Sequence, residues 1–233
     1  MTADYHAVTL SPTHEPRRSR LLVALVGVAL VLAGVLFGVL ASPVGPGADP
    51  PAEDSLEVGF AQDMSVHHNQ AIEMSAMALD RSSDPIVRTL AYDVLTSQQS
   101  QVGMMQGWLA LWGRPPVANT PPMLWMAAGS SMAGHTMSTD MDGQPAMSMP
   151  GMASTPELQA LRRMDGEGFD GRYLQLLRRH HQGGIPMATF GAANSTEPAV
   201  ASLALTIAST QAAEIDQIDM LMASHGVAPL PEN

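Results

Sequence analysis

The string His67-His68-Asn69-Gln70-Ala71-Ile72-Glu73-Met74 returns in outline as His180-His181-Gln182-Gly183-Gly184-Ile185-Pro186-Met187. Both read His-His-x-x-x-Ile-x-Met, and they stand 113 residues apart. The register holds without a gap from about Phe60 to Gly113. Phe60 falls on Tyr173, Gln62 on Gln175, Pro85 on Pro198, Leu90 on Leu203, Gln98 on Gln211 and Gly113 on Gly226. This is an internal duplication. With two copies and a long period, it points to one pseudo-symmetric domain rather than a solenoid array.

The local signals in each copy are helical. Asp54-Ser55-Leu56-Glu57 reads as a capping box opening a helix that runs to about Arg81. Ser82-Ser83-Asp84-Pro85 breaks it and starts the next, with Asp84 as N-cap and Pro85 at the first helical position. That second helix carries Val87, Leu90, Val94, Met105 and Leu109 and ends near Gly113. In the second copy, Thr155-Pro156-Glu157 opens a helix expected to run through Leu161, Phe169 and Tyr173 to the second His pair. Gly166, Gly168 and Gly171 weaken its first half, and Pro186 is expected to kink it. Ser195-Thr196-Glu197-Pro198 restarts the chain, and the last helix ends at Gly226. No stretch alternates with a two-residue period, so no strands are expected. Two helical hairpins joined by a long loop give an all-α four-helix bundle over residues 54–228.

The flanks differ in kind. Residues 1–20 are polar and end in Arg17-Arg18-Ser19-Arg20, which reads as a cytoplasmic tail. Residues 21–41 carry no charge and are long enough for one transmembrane helix. The Arg cluster puts their N-terminal end in the cytoplasm and everything after Ser42 outside. The alternative is a cleaved signal followed by secretion; the apolar run is longer than a usual signal core, so a single-pass membrane anchor is preferred. Residues 42–53 are Pro-, Gly- and Ala-rich and read as a flexible linker. Residues 115–155 form a loop with eight Met: Met123, Met126, Met132, Met137, Met141, Met147, Met149 and Met152.

The composition narrows the chemistry. No cysteine is present, so disulfides and thiolate metal sites are excluded. The net charge of −11 argues against nucleic acid as a partner. The chain holds 18 methionines, more than gap-filling in a core needs. On a helix, residues three, four and seven apart share a face. His67 therefore shares a stripe with Met64, Ala71 and Met74, and His68 is one turn past Met64. Asp63 is placed to accept a hydrogen bond from the far nitrogen of His67, as metal-bound histidines often require. The first candidate site is thus His67, His68, Met64 and Met74, with Asp63 behind it. The second is His180, His181 and Met187, poorer because Leu176 and Leu177 replace Asp63 and Met64. Met105 and Glu214, on the partner helices, are further candidates. Met104, Met105, Met220 and Met222 also have a plainer reading as core. Imidazole with thioether suits copper, above all Cu(I), and silver by the same softness. Zinc more often takes Cys or clustered His, and no Glu-x-x-His motif is present for a di-iron site.

The string from Asp63 to Met74 resembles the signature of a bacterial family of exported, His/Met-rich, ferritin-like four-helix proteins. That family is known as a domain of unknown function, and some members bind copper in the periplasm. Gln98 to Trp108, Met149-Pro150-Gly151-Met152 and Phe169 to Met187 resemble it too, so the likeness spans about residues 55–226. It implies a ferritin-like bundle with metal held at Met64, His67, His68, Met74, His180, His181 and Met187. The chain departs from the pattern at Pro186 and at Leu177, where the family commonly has Met.

The function read from the sequence is therefore extracytoplasmic copper binding for tolerance, storage or delivery, without catalysis. The partners expected are the metal ion, the membrane through residues 21–41, and an envelope copper-handling protein or a second copy of the chain. Two rivals stand beside it: a ferritin-like oxidase acting on copper, and a metal-free envelope interaction module.

Overall fold

The computed structural model describes residues 49–127, 138–139, 145–146 and 149–233. The expected tail, the 21–41 anchor and most of the linker lie outside these residues, as do Met132, Met137, Met141 and Met147. Among the described residues no helix is long and apolar enough to cross a membrane.

Among the described residues of the compact unit Pro50–Asn233, the regular structure is helical apart from a two-residue antiparallel pairing of β1 (Ser138–Thr139) with β2 (Pro145–Ala146). Its helices are α1 (Leu56–Arg81), α2 (Pro85–Leu111), the short α3 (Leu124–Ala127), α4 (Thr155–Leu161), α5 (Gly166–Asn194) and α6 (Pro198–Ser224). Three-residue turns join α1 to α2 and α5 to α6, so each pair folds back as an antiparallel hairpin. The hairpins pack on each other through α1 and α5.

The duplication can be followed in the joints. Asp84 caps α2 by accepting from the Ile86 N–H at 2.7 Å, with Pro85 in the first turn. Gly113 then ends α2 in the left-handed region (φ 66°), and the Arg114 N–H reaches back to the Leu109 carbonyl at 2.8 Å. One repeat later, Gly226 (φ 64°) ends α6, and the Val227 N–H reaches the Met222 carbonyl at 3.0 Å. Glycine adopts this backbone without the Cβ clash that penalises other residues. Each turn is also gripped from the opposite repeat. Glu57 accepts from the Thr196 N–H (2.8 Å) and from the hydroxyls of Ser195 (3.0 Å) and Thr196 (3.1 Å). Its counterpart Asp170 accepts from the N–H (3.2 Å) and hydroxyl (2.9 Å) of Ser83.

Two expectations need correction. Ser55, not Asp54, caps α1 by accepting from the Val58 N–H at 3.3 Å, because Glu57 is drawn away to the Ser195–Thr196 turn. The second repeat does not open on one continuous helix. Ser154 and Glu157 close a capping box on the seven-residue α4. The chain then turns through Gly166 at φ 59° before α5 begins. Beyond that turn, α5 is one helix with Pro186 inside it. That residue is exposed, and its ring nitrogen cannot donate to the Gln182 carbonyl one turn earlier.

The core is in two parts. One apolar cluster holds Met74, Leu90, Val94, Phe169, Tyr173, Leu177 and Ile218. The other holds Phe60, Met64, Met105, Leu109, Met187, Leu203 and Ile207. Along every long helix, the residues between these clusters are polar and buried: His67 and His68, Gln98 and Gln101, His180 and His181, Gln211. A polar cross-section therefore divides the bundle at its middle.

Candidate metal centre

The four imidazoles meet where α1 crosses α5. Across that interface a Cβ at Gly191 would lie 2.9 Å from the Phe60 ring. The His67 and His180 rings are 3.8 Å apart, and Ser75 bonds the Tyr173 hydroxyl at 2.9 Å. The numbers rise on one helix as they fall on the other, so the helices are antiparallel. The point at which a residue faces its own counterpart is the His pair itself. The pseudo-twofold axis runs through the histidines.

All four rings are fully buried, and each uses Nε2 in a hydrogen bond. His67 bonds the Pro150 carbonyl (3.1 Å) and His180 the His67 carbonyl (2.9 Å). His68 bonds Oε1 of Gln101 (2.7 Å), and its counterpart His181 bonds Oε2 of Glu214, also at 2.7 Å. Carbonyl, carboxylate and amide oxygens only accept, so in every case Nε2 carries the proton and donates it. In the neutral ring Nδ1 then holds a lone pair. The Nδ1 atoms of His67, His68, His180 and His181 are all buried without a hydrogen-bond partner. Both side-chain amide atoms of Gln98 and of its counterpart Gln211 are in the same condition. Buried polar atoms normally find partners, so this concentration in one layer sets the region apart.

Their surroundings keep His67, His68 and His180 neutral. Burial pushes His67 down to about 4 against the stabilising Pro150 carbonyl, and takes His68 to about 3, with the neighbouring His67 adding to the effect. His180 is held well below the usual histidine range by burial first and by the other three histidines next. Neutral imidazole is the form that ligates metal.

The segment Met149–Met152 closes one side of the layer. A Cβ at Gly183 would sit 2.1 Å from the Pro150 carbonyl oxygen, and one at Gly151 (φ 79°) would sit 2.5 Å from the Arg179 carbonyl oxygen. Only a glycine on each side lets this backbone lie directly on α5 and offer Pro150 to His67. Gln70 fastens it from α1 by donating to the Ala153 carbonyl (2.9 Å) and accepting from the Ala153 N–H (2.6 Å). The sequence offers a signal for this seam in Gly183-Gly184 facing Pro150-Gly151, a feature that periodicity alone does not reveal.

The other expected residues separate. Asp63 is not the partner of His67. Its Oδ2 accepts from the Met123 N–H (2.7 Å) and from Nε1 of Trp125 (2.8 Å), while burial raises its pKa against those two bonds. The loop residues that claim it have no periodic signal in the sequence. Met64, Met105 and Met187 are fully buried together in one cluster. Met74 is fully buried in the other cluster, across the polar layer from Met64. Glu214 stands beside His181. Met104 and Met220 are exposed, which corrects their reading as core; Met222 is buried.

Among the described residues no three His, Asp or Glu side chains converge to hold a metal ion. An open groove of about 490 Å³ lies elsewhere, lined by Glu53, Asp54, Gln62, Asn119 and Trp125 with Asp63 at its floor, and no histidine borders it.

Comparison with known proteins places this architecture. Residues 57–222 match the family model described as a domain of unknown function, DUF305. A Streptomyces coelicolor protein of that family, described as secreted, is 40% identical; the alignment covers 77% of this chain and 99% of that one, with a TM-score of 0.67. A fragment from Deinococcus radiodurans is 32% identical, covering 75% and 99%, with a TM-score of 0.58. CopM in its Cu(II)-bound form is 24% identical over 73% and 97%, with a TM-score of 0.52, a likeness of fold alone. No curated protein matches the chain. On the match across residues 57–222, the chain belongs to the DUF305 family.

Proposed function

We propose that this protein binds copper outside the cytoplasm, tethered through residues 21–41, and serves copper tolerance, storage or delivery. The carrying observation is the set of four buried, unpartnered Nδ1 atoms, each on a ring oriented by an Nε2 hydrogen bond. That arrangement is the one in which an outer hydrogen bond orients a metal-bound histidine. Buried thioethers at Met64, Met105 and Met187 supply soft donors beside the layer. The ferritin-like reading of the bundle belongs with this proposal. CopM, with the same fold, is described in Cu(I)-, Cu(II)- and Ag-bound forms. The secreted description of the Streptomyces relative supports the location. The ion is cargo, and no catalysed step is assigned to the chain.

The test is copper stoichiometry of the full chain against His67→Ala/His68→Ala and His180→Ala/His181→Ala. Loss of bound copper in either pair supports the reading; unchanged stoichiometry in both ends it. Oxygen uptake on Cu(I) addition would point to an oxidase instead. A melting temperature unmoved by copper would point to a metal-free module, since a ligand of the folded state must stabilise it.

A further inference from the structure

The duplication allows each buried donor to be compared with its counterpart. Met64 corresponds to Leu177, Met105 to Ile218, and Met187 to Met74. The fold does not keep these residues in repeat order. Met64, Met105 and Met187 lie on one side of the polar layer; Leu177, Ile218 and Met74 lie on the other. All six are fully buried. Each side takes two residues from one hairpin and one from its partner, and the thioethers are divided three to one. The sequence-based grouping of Met64 with Met74 therefore does not correspond to one place in the molecule.

On the sulfur-rich side two of the three sulfurs stand one turn from the His68–Gln101 bond along their own helices. Met64 is one turn before His68 on α1, and Met105 is one turn after Gln101 on α2. Gln101 accepts the His68 Nε2 proton, which leaves His68 Nδ1 buried and unpartnered. We infer that the chain holds one buried soft-ion site, built from the sulfurs of Met64, Met105 and Met187 with Nδ1 of His68. The mirror position, at Leu177, Ile218, Met74 and His181, is a lapsed copy. This rests on the copper reading above and locates the ion within it.

The same observations set the charge of the ion. Every donor of the proposed set is neutral, as is the amide of Gln101 behind His68, and the neighbouring carboxylate of Asp63 is taken up by Met123 and Trp125. Burying a charge among neutral groups is costly, and more so for a divalent ion. A monovalent soft ion, Cu(I) or Ag(I), is the one this side accepts. The lapsed copy has the carboxylate of Glu214 behind His181 and, at the three matched positions, only the sulfur of Met74, which disfavours a soft monovalent ion.

The test uses Ag(I) as a redox-inert probe on the full chain in detergent micelles, with methionine methyl groups labelled for NMR. The first equivalent should move the methyl signals of Met64, Met105 and Met187 together and leave Met74 in place. Met64→Leu/Met105→Leu, a volume-conserving change that cores tolerate, should weaken that equivalent at least 100-fold. Leu177→Met/Ile218→Met should add a second equivalent, reported by Met74. Unchanged tight binding in the Met64→Leu/Met105→Leu variant, or Met74 moving with the first equivalent, overturns the inference and leaves copper binding standing. A wild-type chain that binds neither silver nor copper overturns both.

Discussion

His180 donates its Nε2 proton to the main-chain carbonyl of His67 across 2.9 Å, and their rings lie 3.8 Å apart. The side chain of one repeat is thus held by the backbone of the other, at the point where the hairpins cross. Neither ring has room for a proton on its second nitrogen without charging the middle of the bundle.

Acid should therefore unfold this protein early. In the folded chain His67 titrates near 4 and His68 near 3, whereas an unfolded histidine titrates near ~6.5. Between those values the unfolded chain binds more protons, so stability rises with pH there. The histidine contribution is fully present above about pH 6.5 and is lost as the pH falls toward the folded values. It is on the order of a few kcal/mol per ring. Urea midpoints of metal-free protein from pH 7.5 down to 4.5 should fall steeply below about pH 6, and less steeply in His68→Gln. A midpoint that stays level throughout would contradict the burial argument.

The two turn-gripping carboxylates should be separable. Asp170→Ala strips the acceptor from the Ser83 N–H and hydroxyl, and Glu57→Ala does the same for Thr196 and Ser195. Each should cost about 1 kcal/mol, the net contribution of an ordinary hydrogen bond, because Ser83 and Thr196 are exposed and their freed donors can turn to water. They serve different turns and share no partner, so the double variant should show the sum within about 0.5 kcal/mol. Denaturant titrations at constant m-value measure this; strong non-additivity would mean that the two grips act through each other.

Gly183→Ala should dislodge the Met149–Met152 segment. The new methyl would meet the Pro150 carbonyl at 2.1 Å, backbone against backbone, so nothing flexible can give way. The His67 to Pro150 bond should go with it. A loss of roughly 2–4 kcal/mol is expected, in the range of overpacking plus an orphaned donor. Amide exchange at Gly151 to Ala153 should become fast while the centres of α1 and α5 stay protected. Retained protection in the loop would show that the seam is looser than the contact distances imply.

Asp63→Ala should loosen Trp125 rather than His67. It leaves the Trp125 ring N–H and the Met123 N–H without their acceptor. Trp125 packs against Phe60 and Phe190, and a Cβ on Gly59 would lie 2.6 Å from its ring. The tryptophan emission should shift to the red as the ring gains water, at a cost of about 1–3 kcal/mol. An unaltered spectrum would mean that the aromatic packing alone holds the ring.

The helices were legible because their signals are local. Asp84 with Pro85, and Gly113 and Gly226 beyond their last turns, settle boundaries without help from the rest of the chain. The all-helical class and the hairpin pairing follow from the repeat and its three-residue turns. What could not be read was long-range competition for a group. Glu57 looked like half of a capping box because nothing local shows the Ser195–Thr196 turn arriving to take it. Asp63 looked like a partner for His67 because helical spacing brings them one turn apart, and the aperiodic Trp125 segment gives no warning of its claim. Met64 and Met74 share a helical stripe, but ten residues of rise carry them past the crossing point into different compartments.

Because the crossing point lies on the histidines, the molecule has the form that two identical hairpins would take if they associated about a shared diad. Separate copies would be bound to change both ends of their complex at once, since one gene would encode each. Covalent fusion removes that bond. Leu177 can differ from Met64, and Ile218 from Met105, so a molecule with equivalent halves becomes one with a distinguishable top and bottom, offering a direction to whatever passes through it.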